Sequence, residues 1–196
     1  MAVETVSRTA TPRVRLGPKQ NTSRSLKVKG ARQGRPGEEE SQAAADRKFM
    51  RLALREALRG EAEGEVPVGA VLVFGEHAVA RAHNRPVALR DPAGHAEVLA
   101  LRRAARKLGN YRLGREYTLY ATIEPCAMCA GAIVQARIGR LVFGAEDPKA
   151  GAAGSALKVL NHRKLNHKVS VTRRILAAEC AAMLHDFFAQ RRRRLT

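Results

Sequence analysis

His95-Ala96-Glu97 and Pro125-Cys126-Ala127-Met128-Cys129 are the two stretches on which the reading of this chain turns. Between them they hold one imidazole, two thiols and one carboxylate. A catalytic zinc site takes three protein ligands and keeps a fourth tetrahedral position for water. His95, Cys126 and Cys129 meet that count, and Glu97 stands beside them as the one group within the motif able to carry protons. Zinc lowers the pKa of a bound water from about 15.7 to about 7, which makes attack on an electron-poor aromatic carbon feasible near neutral pH. Cys126 and Cys129 taken alone also fit a redox pair or half of a structural zinc knuckle. A redox pair leaves His95 and Glu97 unexplained, and a structural site needs a fourth Cys or His that no adjacent pair supplies.

The order H-x-E…P-C-x-x-C is an established signature of zinc nucleobase deaminases and is matched here rather than deduced. Working outward, each stretch falls where a helix is expected to begin. His95 opens a helix with Val98, Leu99, Leu101, Ala105 and Leu108 on its inner face and Arg102, Arg103, Arg106 and Lys107 outside, ended by Gly109-Asn110. A strand over 117–123 leads to Pro125 at the first position of a second helix, where its missing N–H costs nothing. Cys126 and Cys129 then share one face of the first turn, where the helix dipole favours thiolates.

The remaining elements follow from periodicity and breakers. Phe49, Leu52, Ala53, Ala57 and Leu58 recur at helical spacing in a folded part expected to begin near Ala43. Residues 66–74 read as a buried strand turned by Gly75-Glu76 into a second, 77–83. Residues 84–94 read as a loop in which Pro86 and Pro92 block regular structure. A strand over 140–144, a Gly- and Ala-rich loop over 147–155 and a short helix over 156–160 come next. An edge strand over 168–172 and a long helix over 174–194 close the chain. Leu176, Cys180, Met183, Leu184, Phe187 and Phe188 stripe that last helix, and Cys180 reads as core. Strands alternating with helices imply an α/β fold, a sandwich around one sheet of about five strands.

The chain has 196 residues, 36 Lys and Arg against 18 Asp and Glu, a net charge of +18 and a pI near 11.1. That balance points to a polyanion, nucleic acid first, against the plain alternative of a solvated basic surface. Residues 5–37 hold nine Lys or Arg with no acidic and no aromatic residue, so 1–42 are expected to be a disordered basic N-terminal arm. A dispensable tail, a misassigned start, an RNA-attracting arm and a targeting peptide all remain open for it. Residues 41–196 still carry 27 basic and 14 acidic residues, +13 without the arm. Three cysteines, two committed to a metal, leave no disulfide framework and suit a reducing cytoplasm. The most apolar stretch, 117–136, is broken by Glu124 and Pro125, so no membrane span is expected.

Beyond the zinc motifs, Glu65-Val66-Pro67-Val68-Gly69-Ala70, Asn84-Arg85-Pro86, Asn110-Tyr111-Arg112-Leu113, Phe143-Gly144-Ala145, Gly151-Ala152-Ala153-Gly154-Ser155, Asn166-His167 and Asp186-Phe187-Phe188 stand out. With these, residues 47–194 resemble the bacterial-type tRNA-specific adenosine deaminases (TadA group) of the cytidine-deaminase-like superfamily. The resemblance implies a three-layer α/β/α sandwich on a mixed sheet, one zinc ion per subunit and a cytoplasmic homodimer. It implies hydrolysis of adenosine to inosine at the wobble position of a tRNA, usually an arginine tRNA with an ACG anticodon. In that frame Glu97 takes a proton from the zinc-bound water, delivers it to adenine N1 and then protonates the departing ammonia. Asn84 matches the base-holding position, its plain alternative being to turn the loop before Pro86. Asp147, Asn166, Phe188 and Arg191 match positions that approach the anticodon stem-loop, although Phe188 equally suits a core and the Arg run a solvated helix end.

Gly94 before the zinc His, where the family more often has Ala, departs from the pattern and would loosen that helix start. Glu146 beside Asp147 is acidic for a position next to RNA. Two other readings compete. A free-base or nucleoside deaminase acting on guanine or cytosine would have little use for the basic terminal helix. A non-catalytic tRNA-binding subunit with structural zinc would not need Glu97.

Overall fold

The computed structural model describes residues 36–193, so the expected arm lies outside the described residues up to position 35. Helix α1 (Pro36–Ala62) begins at Pro36 rather than near Ala43. A proline in the first turn forfeits no hydrogen bond, and Glu38 and Glu39 meet the positive end of the helix dipole. Those features are polar, so apolar periodicity could not register them.

Five strands among the described residues form one sheet in the order β2-β1-β3-β4-β5. They are β1 (Gly69–Phe74), β2 (His77–His83), β3 (Tyr117–Ile123), β4 (Arg140–Ala145) and β5 (Ser170–Thr172). β1 runs antiparallel to both β2 and β3, while β4 is parallel to β3 and to β5. The C-terminal ends of β2, β3, β4 and β5 therefore open on one edge of the sheet, where the start of β1 also lies. The expected strand over 66–74 is shortened because Pro67 lacks a ladder N–H and Val68 N–H bonds back to Val66 C=O at 2.7 Å.

Alternation along the strands splits the core into two layers. Val71, Val73, Tyr120 and Val142 face α1 and α5 (Ala177–Arg193), packing with Phe49, Met50, Ala53 and Cys180. Leu72, Leu119, Leu141 and Phe143 face the other way, with Leu99, Ala100 and Leu101 of α3 (Ala96–Leu108) and Ala130 and Ile133 of α4 (Ala127–Gln135). This is the expected α/β/α sandwich on a mixed sheet. A Cβ at Gly69 would lie 2.0 Å from Ala53 C=O, so only glycine lets α1 sit this close to β1. Edge strand β2 is covered from α3: Arg103 and Lys107 donate to the Arg81 and Val79 carbonyls. No helix among the described residues is long and apolar enough to cross a membrane.

Several local expectations are corrected. Pro86 opens a short helix, α2 (Pro86–Leu89), instead of blocking one, because its fixed φ suits a first helical position. Residues 156–160 are an irregular connection, a bend at Ala156, an isolated bridge between Ala153 and Lys158 and a turn at Leu160, with no helix. Helix α5 starts at Ala177 rather than 174, since Arg174 (φ 63°) and Leu176 (φ 53°) are left-handed. Pro125 lies just outside α4, and Cys126 is the N-cap. Cys180 is core, as expected, its thiol pushed up to about 12 by burial.

A buried ion pair ties α1 to the sheet. The Asp46 carboxylate accepts both arms of Arg140 (2.8 and 2.6 Å), the Tyr120 hydroxyl (2.8 Å) and the Gln42 amide (3.0 Å). Arg140 also donates to the Thr172 hydroxyl, which reaches β5. Breaking such a pair leaves a cation uncompensated, so Asp46→Ala is expected to lower stability by about 3–5 kcal/mol in denaturant unfolding.

Candidate metal centre and active site

Helix starts normally carry Ser, Thr, Asp or Asn, whose side chains bind the first free N–H groups. Here the N-caps of α3 and α4 are His95 and Cys126, and neither side chain makes a cap hydrogen bond. The groups that would cap are turned toward each other instead. His95 Nδ1 lies 3.7 Å from Cys126 Sγ and 3.5 Å from Cys129 Sγ. All three ligand atoms fall within 4.8 Å of one another. Zn–N near 2.0–2.1 Å and Zn–S near 2.3 Å at a tetrahedral angle require N···S separations of roughly 3.5–3.6 Å. The donor set and its spacing fit zinc. The Cys129 thiol is pushed up by burial, and further by Glu97 and Cys126, so it suits a cation that takes its proton's place.

The start of α3 is capped from elsewhere: Asn84 Oδ1 accepts the Ala96 N–H at 2.9 Å. Asn84 is buried; this bond takes one lone pair of its oxygen and leaves the other, with the amide N–H groups, for a ligand. Gly94 does not loosen the helix start. Its N–H bonds Asp91 C=O and its C=O accepts from Arg85 N–H, both at 2.9 Å. Glu97, in the first turn of α3, is fully buried. Burial raises its pKa, while its own backbone N–H, His95 and the Cys129 sulfur act in the opposite direction.

These groups line a cavity of about 190 Å³ whose wall includes Asn84, His95, Glu97, Glu124, Cys126 and Asp147. A larger groove of about 650 Å³ lies beside the start of α1, far from the His–Cys–Cys set. Asp147 folds back on itself, its Oδ1 accepting from the backbone N–H groups of Lys149 (2.9 Å) and Ala150 (3.0 Å). Neighbouring Glu146 does not line the cavity. It pairs with Arg174 at 2.8 Å, a bond that holds its carboxyl below the ordinary carboxylate range.

The other three residues expected near RNA lie outside that lining. Asn166 is exposed and accepts from Arg137 at 2.7 Å. Phe188 is 45% exposed and edge-on to buried Phe187, so it is a surface residue rather than core. Arg191 stacks its guanidinium over Phe187, 4.8 Å from the ring centre, and donates to Gly64 C=O at 2.8 Å.

Two buried carboxylates escaped the sequence reading. Glu65 accepts from the backbone N–H groups of Val87 (3.3 Å) and Ala88 (2.8 Å), capping α2 and fixing the loop that follows Asn84. Glu124 does the same for the loop after β4. A charge set within an apolar run was the available signal, because such a group survives burial only when its hydrogen bonds are met.

A mixed five-stranded sandwich in which two helix starts bring His, Cys, Cys and Glu together beside one cavity defines a deaminase of the cytidine-deaminase-like fold. A family model described as MafB19-like deaminase matches residues 44–192. A tRNA-specific adenosine deaminase of Haemophilus influenzae is 49% identical over 148 residues, covering 75% of this chain and 85% of that protein. One of Bacillus subtilis is 43% identical, covering 76% and 92%. Among solved structures, one from a study of A-to-I editing by tRNA:A34 deaminases at the wobble position of transfer RNA has a TM-score of 0.68 at 43% identity, covering 70% of this chain and 99% of that one. A guanine deaminase from Nitrosomonas europaea has a TM-score of 0.62 at 25% identity, covering 71% and 82%. The chain belongs to the MafB19-like deaminase family, on the branch of the tRNA-specific adenosine deaminases.

Cys126→Ser is expected to weaken zinc binding by more than the roughly 10–100-fold typical of losing an outer-shell partner. Cys180→Ala should leave zinc affinity unchanged. Competition against a chromogenic chelator measures both.

Proposed function

We propose that this chain is a zinc-dependent tRNA adenosine deaminase. It hydrolyses adenosine to inosine at the wobble position of an arginine tRNA with an ACG anticodon and releases ammonia. The observation that carries the reading is Glu97 buried beside the His95, Cys126 and Cys129 set, in a cavity also walled by Asn84 and Asp147. The relatives' substrate and the +13 of residues 41–196 support an RNA loop over a free base. In a single-stranded loop the target base leaves its stack at little cost.

Held by His95, Cys126 and Cys129, zinc would supply a water activated for attack near neutral pH. Buried Glu97 holds the proton delivered to adenine N1 and then the one that leaves with ammonia. Burial disfavours its charged form, which suits a carboxyl that takes and gives protons. Asn84 approaches the base with its amide N–H groups, while one lone pair of its oxygen holds the start of α3. Asp147, also in the cavity wall, meets the rest of the nucleotide. Asn166, Phe188 and Arg191 meet the stem-loop outside the cavity, with Phe188 offering an exposed ring for stacking.

The working form is a cytoplasmic homodimer with one zinc ion per subunit. A groove of about 320 Å³ between α3 and α4, walled by Val98, Leu101, Ala105, Ala132 and the exposed ring of Tyr111, is a surface a second copy would cover. The nine Lys and Arg of residues 5–37 add non-specific attraction for RNA.

Purified wild type should form inosine in an ACG-anticodon arginine tRNA, and Glu97→Ala should keep equal zinc and fold while losing turnover. Zinc-loaded wild type that converts free guanine or cytosine but not the tRNA would replace the reading with a free-base deaminase. Active Glu97→Ala would remove Glu97 from its role.

A further inference from the structure

Two buried carboxylates line the cavity, and the chemistry uses only Glu97. The other, Glu124, stands between the end of β3 and Pro125 and is 2% exposed. Its Oε1 accepts from the backbone N–H groups of Ala153 (2.9 Å) and Ser155 (3.1 Å). Its Oε2 accepts from the backbone N–H of Asp147 (3.3 Å) and from the Ser155 hydroxyl. An ionised carboxylate offers about four lone-pair sites, and four donors fill them. Glu124 is left no capacity to take a substrate proton.

All four donors belong to 147–155, the segment that carries Asp147 and Ala150 into the cavity wall. The same segment is stitched to the start of the zinc-binding helix by a bridge between Cys126 and Gly151 and by Ala152 N–H donating to Pro125 C=O at 2.8 Å. At Gly151 a Cβ would lie 2.5 Å from the Glu124 carboxyl group, so the backbone reaches this anchor only as glycine.

We infer that Glu124 is a positioning residue for substrate binding. It fixes the backbone at Asp147 and holds that part of the cavity wall, so it governs how tightly the target nucleotide is held rather than how fast it is converted. The inference rests on the functional reading above and adds a residue to it.

Glu124→Gln keeps the shape but turns an amide NH₂ toward two of the four donors. With an anticodon stem-loop substrate, KM should rise by about tenfold or more, the loss expected of a charged hydrogen-bond acceptor. Turnover number should stay within about threefold, as for lost uniform binding. Zinc should stay at the wild-type level, and amides across 147–155 should exchange hydrogen faster. In an Asp147→Ala background the same change should add less than about twofold, because the two act as a unit. Ser155→Ala removes one donor and should raise KM less, in the same direction, which reads the role even if Glu124→Gln fails to fold. A fall in kcat at unchanged KM, a full-sized effect without Asp147, or unchanged exchange over 147–155 would overturn the inference. Wild type that forms no inosine would fail the functional reading alone, and the exchange comparison, which needs no substrate, would still decide the anchoring role.

Discussion

Two helix N-termini that must meet are the constraint on which the rest of the molecule depends. The imidazole and the two thiols come from segments 31 and 34 residues apart, yet the imidazole nitrogen lies 3.7 and 3.5 Å from the two sulfurs. Bringing helix starts together concentrates unsatisfied N–H groups and positive dipole ends in one place. Such a point accommodates thiolates and carboxylates and disfavours unpaired cations. Ligands at the cap positions give up the usual side-chain caps, and a neighbouring loop supplies a replacement through Asn84.

Strand direction makes the meeting possible. Asn84 follows the end of β2, Glu124 and Cys126 the end of β3, and Glu146 and Asp147 the end of β4. Because these strands point the same way, three loops distant in sequence are delivered to one edge, as open α/β sheets deliver their ligand sites. A buried glutamate then fastens two of those loops: Glu65 the one after β2, Glu124 the one after β4. The strands and metal ligands were readable because their signals are local: β-branched runs, breakers and a fixed ligand spacing. The start of α1, the irregular connection at 156–160 and the two glutamates were not. Their causes are a polar first turn and hydrogen bonds spanning 22 to 31 residues, which periodicity does not encode.

The charge of +18 is not one undivided patch for RNA. Arg103 and Lys107 cover the carbonyls of an edge strand, and Arg140 neutralises buried Asp46. Arg174 balances Glu146 beside the cavity, which removes the repulsion that acidic residue would otherwise present to a phosphate. Arg191 is divided between an aromatic face, a backbone carbonyl and solvent. Basic side chains thus close the fold first, and the remainder sets the long-range field that draws a polyanion in.

Asn84 holds the first N–H of α3 with the same amide that, in the proposed function, donates to the base. A residue with one hand on the ligand and the other on the frame cannot be retuned for one task alone. A swap at Asn84 that redraws the hydrogen-bond pattern offered to the nucleobase also frees the Ala96 N–H, at the start of the helix that His95 caps. On that reading, selectivity for the base and retention of the metal are coupled traits. A lineage or an engineer exploring new substrates finds its open routes at the rim, among the surface contacts, before it finds them at the floor of the cavity.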